Sequence, residues 1–390
     1  MSRSAAAVLT EWTPPLLENV GYTQWTLSTQ AAAELYAGGA KLWTKESLRD
    51  IEQQLVEFQT RELFALRRLD GSTIRIKNPM FGKSDPIWTP RVVFHEYWRL
   101  VKAKPGFLPN GRLEELAVHP ETYHCTCLVE WWNLTLHSFD GLGDGWEALA
   151  QQKKDLWESS ETRQLLQARI KALVGPGSGR KANKVVCIGL PCLSRRAPSW
   201  WRIQNSRSEK PEIEAEFMHK DDMTQYCAAM TIANALRESQ GGERDTTAGS
   251  PGDKVVRLIT QERRYTEATK TYLRGLGFEV VGDHGAAGLA EIDDETVVLS
   301  FFTSTMAPVK QVVADIARPA LFIGLFDMAD FNEYWQPGAN PESPRTRKMW
   351  EGYEAFDFPV AAEEVSSMDP MFKRLKVMAR SAVVGSAREM

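Results

Sequence analysis

Five short apolar runs, rich in β-branched residues and separated by helical stretches, constrain this chain more than any other feature. They are KVVCIGL from Lys184, KVVRLIT from Lys254, FEVV from Phe278, TVVLSFF from Thr296 and ALFIGLF from Ala320. Runs this short and this apolar fit strands buried on both faces of a parallel sheet. Between them the spacing of apolar residues predicts helices over 220–238, 265–277, 285–291 and 307–317, with Asp221 or Asp222 as N-cap of the first. Alternation of strand and helix at this interval means βαβ units, parallel pairing and right-handed crossovers.

Residues 175–390 are therefore expected to form an α/β domain with a Rossmann-like, three-layer parallel sheet and a C-terminal extension. Residues 1–174 differ in pattern and form a Trp-rich, mixed α+β region. There, 45–68 places Leu48, Ile51, Leu55, Phe58 and Leu63 at helical spacing, and LDGSTIRIKNP reads as a turn and a short alternating strand. PIWTPRVVFHEYWRLVKAK and HCTCLVEWWNLTLHSF supply strand or buried-helix material, and 146–173 reads as one long amphipathic helix. Val174 to Lys181 is a glycine-rich linker that lacks the order of a phosphate loop.

Composition narrows the function classes. With 43% hydrophobic and 25% charged residues, the 390-residue chain has enough apolar surface to exclude wholesale disorder. It holds no run of about 18 apolar residues, so no membrane span is expected. The opening MSRSAAAVLTEWTPP is too short in its apolar part for a secretory signal. Five scattered cysteines fit free thiols in a reducing cytoplasm. Cys125-Thr126-Cys127 beside His124 fits alternation on a strand better than metal ligation, because no second ligand pair follows at the usual spacing. No metal site and no cofactor are expected.

Ligands of open α/β sheets bind beyond the carboxyl ends of the strands. That rule selects Gly189 to Ser194 after the first strand, Gln261, Glu262 and Tyr265 after the second, Ser300, Phe301, Thr303 and Ser304 after the fourth, and Asp327 and Asp330 after the fifth. The first turn is not G-x-G-x-x-G, which disfavours a dinucleotide. It does present Cys192 and Ser194, either of which suits a nucleophile, although a serine at such a place also caps turns. Tyr226, near the start of the 220–238 helix, fits either core packing or a phenol aimed at the strand ends.

Charge is unevenly spread. Residues 163–210 hold eleven basic residues against Glu209, a charge of +10 that leaves −14 elsewhere in a chain of net −4. The total argues against a protein that coats nucleic acid through bulk charge, and no DNA partner is expected, whereas the window, with Trp200 and Trp201 inside it, suits a local RNA contact through Arg180, Lys181, Lys184, Arg195, Arg196 and Arg202. A solvated basic face fits the same composition.

VVCIGLPCLS, QYCAAMTIANAL, ITQERRYTEATKTYLRGLGFEVV and TVVLSFF resemble, in order and spacing, the sensitivity-to-red-light-reduced domain over about residues 183–325. The usual Asp-Pro after the second strand is here Gln261-Glu262-Arg263. With its Trp-rich N-terminal region the chain is similar to a fungal branch of that group, the arginine-containing cyclodipeptide synthases. The resemblance implies an enzyme of secondary metabolism that condenses arginyl-tRNA with a second aminoacyl-tRNA into cyclo(Arg-Xaa). It implies a hydroxyl nucleophile, first Ser194 and then Ser300, with Gly189 in the substrate turn. Tyr226 and Glu262 would position the amine and move its proton, and Asp327 or Asp330 would read the guanidinium. The plant and yeast relatives imply the alternative, a non-catalytic regulatory module with a protein partner.

Overall fold

The β-branched runs become strands because each can bury both of its faces, at about 1.5–3 kcal/mol for every fully buried Val, Leu or Ile. The computed structural model describes residues 22–83, 88–101, 120–133, 141–142, 146–195, 197, 199–205, 222–240, 256–301, 308–326, 342–364 and 369–382. The first half contributes α1 (Tyr22–Ala37), α2 (Lys45–Val56), β1 (Leu63–Arg67), β2 (Thr73–Lys77), β3 (Thr89–Phe94), α3 (Tyr97–Val101), β4 (Cys127–Trp132), α4 (Trp146–Glu158) and α5 (Glu161–Val174). Next come β5 (Lys184–Ile188), α6 (Ser199–Gln204), α7 (Asp222–Ser239), β6 (Arg257–Gln261), α8 (Glu267–Gly275), β7 (Glu279–Val280) and α9 (Ala287–Ala290). The rest are β8 (Thr296–Ser300), α10 (Val309–Ile316), β9 (Leu321–Leu325), α11 (Pro344–Trp350), β10 (Tyr353–Asp357) and β11 (Leu375–Arg380).

The molecule is of the mixed α/β class, built on a seven-stranded, mostly parallel sheet in the order β10-β11-β9-β8-β5-β6-β7. β5 pairs in parallel with β6 on one side and β8 on the other, and β7 and β9 extend these pairs. The chain thus winds outward from β5 to β7, then crosses back to β8. β11 and β10 close the far edge antiparallel. They form a hairpin that the expected C-terminal extension did not specify.

Alternation along the strands sorts the core into two clusters. Val186, Ile188, Ile259, Val298 and Phe322 face one way, against α9, α10 and the N-terminal elements. Val185, Cys187, Leu258, Val297, Leu299 and Ile323 face the other way, against α4, α5, α7 and α8. The elements from α1 to β4 therefore cover one face of the sheet, while α4 and α5 lie on the other. The β1–β2 and β3–β4 pairs are small antiparallel sheets of their own.

Two helix expectations need correction. The helix expected over 45–68 stops at Val56, and Leu63–Arg67 is a strand paired with Thr73–Lys77. The Gln54 amide holds the boundary: it accepts from the Ala65 N–H at 2.6 Å and donates to the Ala65 carbonyl at 3.1 Å. The helix expected over 146–173 is two helices. Ser159 and Ser160 donate their hydroxyls back to the carbonyls of Asp155 and Trp157. Ser160 then caps α5 by accepting from the Arg163 N–H at 3.1 Å, while the Glu364 carboxylate accepts from the Glu161 and Thr162 N–H groups. Serine favours such caps over helix interiors because its hydroxyl competes for local backbone groups.

Two buried polar clamps fasten the N-terminal half to the sheet. The Glu52 carboxylate of α2 accepts from the N–H groups of His284 (2.8 Å), Ala286 (2.8 Å) and Ala287 (3.2 Å), in the loop between β7 and α9. Asp315 of α10 pairs with Arg345 and accepts from the Trp43 N–H at 3.2 Å. Arg345 also stacks on the Tyr36 ring, 4.0 Å from its centroid, and donates to the carbonyls of Tyr36 and Ala40. Removing Glu52 leaves three backbone N–H groups unpaired, two of them, those of His284 and Ala286, on buried residues. Glu52→Ala is therefore expected to lower unfolding free energy by about 2–4 kcal/mol, read from urea denaturation, with the larger loss in the N-terminal half by hydrogen exchange.

Candidate functional site

The strand order reverses between β5 and β8, so the carboxyl ends of these two strands frame the place where open α/β sheets take ligands. Gly189 leaves β5 with φ +79, in the left-handed region where glycine carries no steric penalty. Its N–H donates to the Gln261 carbonyl at 2.9 Å, which turns the chain across the end of β6. On the other side of the reversal, Ser300 ends β8 and is buried. Opposite it stands Gly324 of β9, where an added Cβ would fall 2.9 Å from the Ser300 carbonyl oxygen. Backbone approaches closely here, and a larger residue would force β8 and β9 apart.

Ser194 lies further along the turn and is fully buried. Its Oγ is 2.7 Å from Thr266 Oγ1 and 3.1 Å from Thr269 Oγ1, at the start of α8. Thr266 is the N-cap of that helix, and Cys192 Sγ lies 3.6 Å from the Thr269 hydroxyl. The turn is thus docked on the helix start through small hydroxyls. Tyr226 reaches the same turn from α7 and donates to the Pro191 carbonyl. Its hydroxyl is 3.2 Å from that of Tyr265, which in turn is 2.9 Å from Thr260 Oγ1. Burial holds the Tyr265 phenol well above its ordinary pKa, so it keeps its proton at neutral pH. Glu262 is occupied: its Oε1 accepts from the Arg264 N–H at 3.0 Å and from Arg264 Nε at 2.9 Å.

Among the described residues, the basic window is divided between the two ends of β5. Arg180 and Lys184 lie at the amino end of β5 and Arg195 beyond its carboxyl end, with the five-residue strand, about 16 Å long, between them. Arg180 is a structural clamp, donating to the carbonyls of Arg380 and Leu173. Lys184 pairs with Asp293 at 2.5 Å, while Lys181 is exposed and Arg195 half-buried. Arg196, Asp327 and Asp330 lie outside the described residues, as does the side chain of Arg202.

Charged groups that sequence reasoning missed also converge on this edge. Lys310, in the first turn of α10, is buried 3.7 Å from Glu342 and 4.8 Å from the Phe326 centroid. Glu342 accepts from Trp350 Nε1 at 3.0 Å through Oε1, and its Oε2 is buried without a hydrogen bond. Beyond β6, Arg263 donates through Nη1 to the Val92 carbonyl at 2.8 Å, and its Nη2 has no partner. Next to Val92, Arg91 is 0% exposed and none of its three guanidinium nitrogens makes a hydrogen bond. It stacks on Trp132 at 4.3 Å, and burial followed by repulsion from Arg263 pushes it down to about 9. Arg263 was visible within Gln261-Glu262-Arg263, the departure from Asp-Pro, but nothing in the sequence marks Arg91.

Among the described residues no cluster of His, Cys, Asp and Glu has the makings of a metal site, and no helix is long and apolar enough to cross a membrane. A cavity of about 310 Å³ lies in the N-terminal half, lined by Trp43, Asp50, Arg67 and Phe94 among others, and no sequence-predicted site residue reaches it. Comparison with family models, curated proteins and solved structures returns no match to this chain.

All five cysteines are free and buried. Burial pushes the thiols of Cys125, Cys127 and Cys227 up from 9.0 to about 12. The folded chain therefore holds protons that the unfolded chain releases once pH passes about 9, and the stability this gives is lost as pH rises towards 12. Urea midpoints at pH 8 and pH 10.5 are expected to fall across that interval, and to fall less when the three residues are replaced by alanine. Ellman's reagent at pH 8 should label the native thiols far more slowly than the denatured ones.

Proposed function

We propose that the chain is a tRNA-dependent cyclodipeptide synthase, an aminoacyltransferase that condenses arginyl-tRNA with a second aminoacyl-tRNA. The observation that carries this reading is the convergence of the Gly189 turn and Ser300 at the reversal of strand order, β7-β6-β5-β8-β9. That winding is what a Rossmann-like sheet requires, and it gives acyl-transfer chemistry a hydroxyl where ligands of such sheets bind. Free thiols throughout suit a reducing cytoplasm.

The reaction has three balanced steps. A serine hydroxyl attacks the aminoacyl ester, so the ester to tRNA breaks, an ester to the enzyme forms and the proton passes to the departing ribose oxygen. The amine of the second aminoacyl-tRNA then attacks that acyl-enzyme, forming an amide and returning the proton to serine. Finally the free amine of the dipeptide attacks the remaining tRNA ester: the second amide forms and closes the ring, the ester breaks, and the amine proton passes to the departing ribose oxygen. Both serines are buried, and position favours Ser300, which ends β8 at the reversal of strand order, over Ser194, which lies further along the turn against Thr266 and Thr269. Tyr226 and Glu262 hold the turn and Arg264, so their part is to position rather than to move a proton. Asp327 and Asp330, which follow β9, keep the role of reading the arginine guanidinium.

A second reading, a non-catalytic regulatory module, draws support from the internal use of the Ser194 and Tyr226 hydroxyls. Mass spectrometry of a bacterial culture expressing the chain decides between them. A cyclo(Arg-Xaa) mass, reproduced in vitro with aminoacyl-tRNA and removed by RNase, is expected. Ser300→Ala should cut product at least a hundredfold, while Ser194→Ala should retain product in proportion to folded protein. A soluble, folded preparation that makes no arginine diketopiperazine would overturn the proposal in favour of the module.

A further inference from the structure

We propose that Arg91 and Arg263 form a binding site for a phosphate group at the carboxyl edge of the sheet, beside β6. Four buried guanidinium nitrogens there have no hydrogen-bond partner: Nε, Nη1 and Nη2 of Arg91 and Nη2 of Arg263. Asp315 is answered by Arg345 and Glu52 by three backbone N–H groups, whereas Arg91 is, among the described residues, the one arginine whose three guanidinium nitrogens are all buried and without a hydrogen bond. Buried cations left without an acceptor are costly, and proteins keep them where a ligand supplies the anion.

The local charge is of the right sign. Three guanidinium groups, those of Arg91, Arg263 and Arg264, face two carboxylates. Glu262 is taken by Arg264, and Glu130, opposite Arg91 in the β3–β4 register, makes no ion pair with it. The donors outnumber what a carboxylate accepts, whereas the tetrahedral oxygens of a phosphate match two guanidinium forks. Arg91 is held over Trp132, which is itself half-buried, and Arg264 retains 38% of its side-chain exposure. The pair is buried, so admitting a ligand requires side-chain movement. The site goes beyond acyl transfer and does not depend on it.

The test uses the full chain, with calorimetry and thermal melts in inorganic phosphate against chloride and acetate at equal ionic strength. Phosphate is expected to bind and raise Tm, and acetate is not. Arg263→Gln should weaken phosphate binding roughly ten- to a hundredfold, as loss of a charge-assisted contact does. Arg91→Met should abolish the phosphate shift while melting no lower than the parent without phosphate, since it removes an unanswered buried charge. Adenosine 5′-monophosphate separates the sources: tighter binding than phosphate assigns the group to a nucleotide, equal binding to free phosphate. If Arg91→Met does not fold, the parent's ³¹P line broadening and Arg263→Gln decide. No phosphate binding by the parent, equal response to acetate, or an undiminished shift in either folded variant would overturn the proposal, and none of these results bears on diketopiperazine production.

Discussion

A parallel strand buried on both faces needs an apolar layer on each side, and this requirement organises the chain. α4, α5, α7 and α8 cover one face, and the other takes the elements from α1 to β4 with α9 and α10. The alternation Val185, Cys187 against Val186, Ile188 divides the core, so a slip of one residue in β5 would invert both layers. The polar clamps at Glu52 and Asp315 fix where the N-terminal layer sits. They do so with groups whose burial is tolerated only in that one docking position.

The sheet was largely legible in the sequence because its strands carry their own signature. VVCI, LIT and VVLS are too short for helices, too β-branched to prefer them, and too apolar for a solvated face. Residues 45–68 were not legible, since Phe58 and Leu63 continue a helical spacing by coincidence. The break inside 146–173 was hidden in two serines. β10 was obscured by exposure, because its sequence YEAFD alternates only weakly.

The candidate site was legible in outline and not in detail. The strand-end rule found Gly189, Ser194, Glu262 and Ser300, all of which lie on that edge. It did not foresee that Ser194 is bound up with two threonines, nor that the basic window straddles a strand. Arg91 sits in an ordinary β3 sequence, TPRVVF, and acquires meaning only from what surrounds it. Side-chain environment is a property of tertiary packing, and linear spacing carries little of it.

The Glu52 clamp also sets an order of events during synthesis. Its first partner, His284, lies 232 residues downstream. At ordinary ribosomal speed that is a wait of roughly 10–50 s. Throughout it, the N-terminal half exists with an acidic group meant for burial and an apolar face meant for a sheet that has not been made. The N-terminal half comes off the ribosome first and is completed last, and the nascent chain spends that interval as a candidate for chaperone binding.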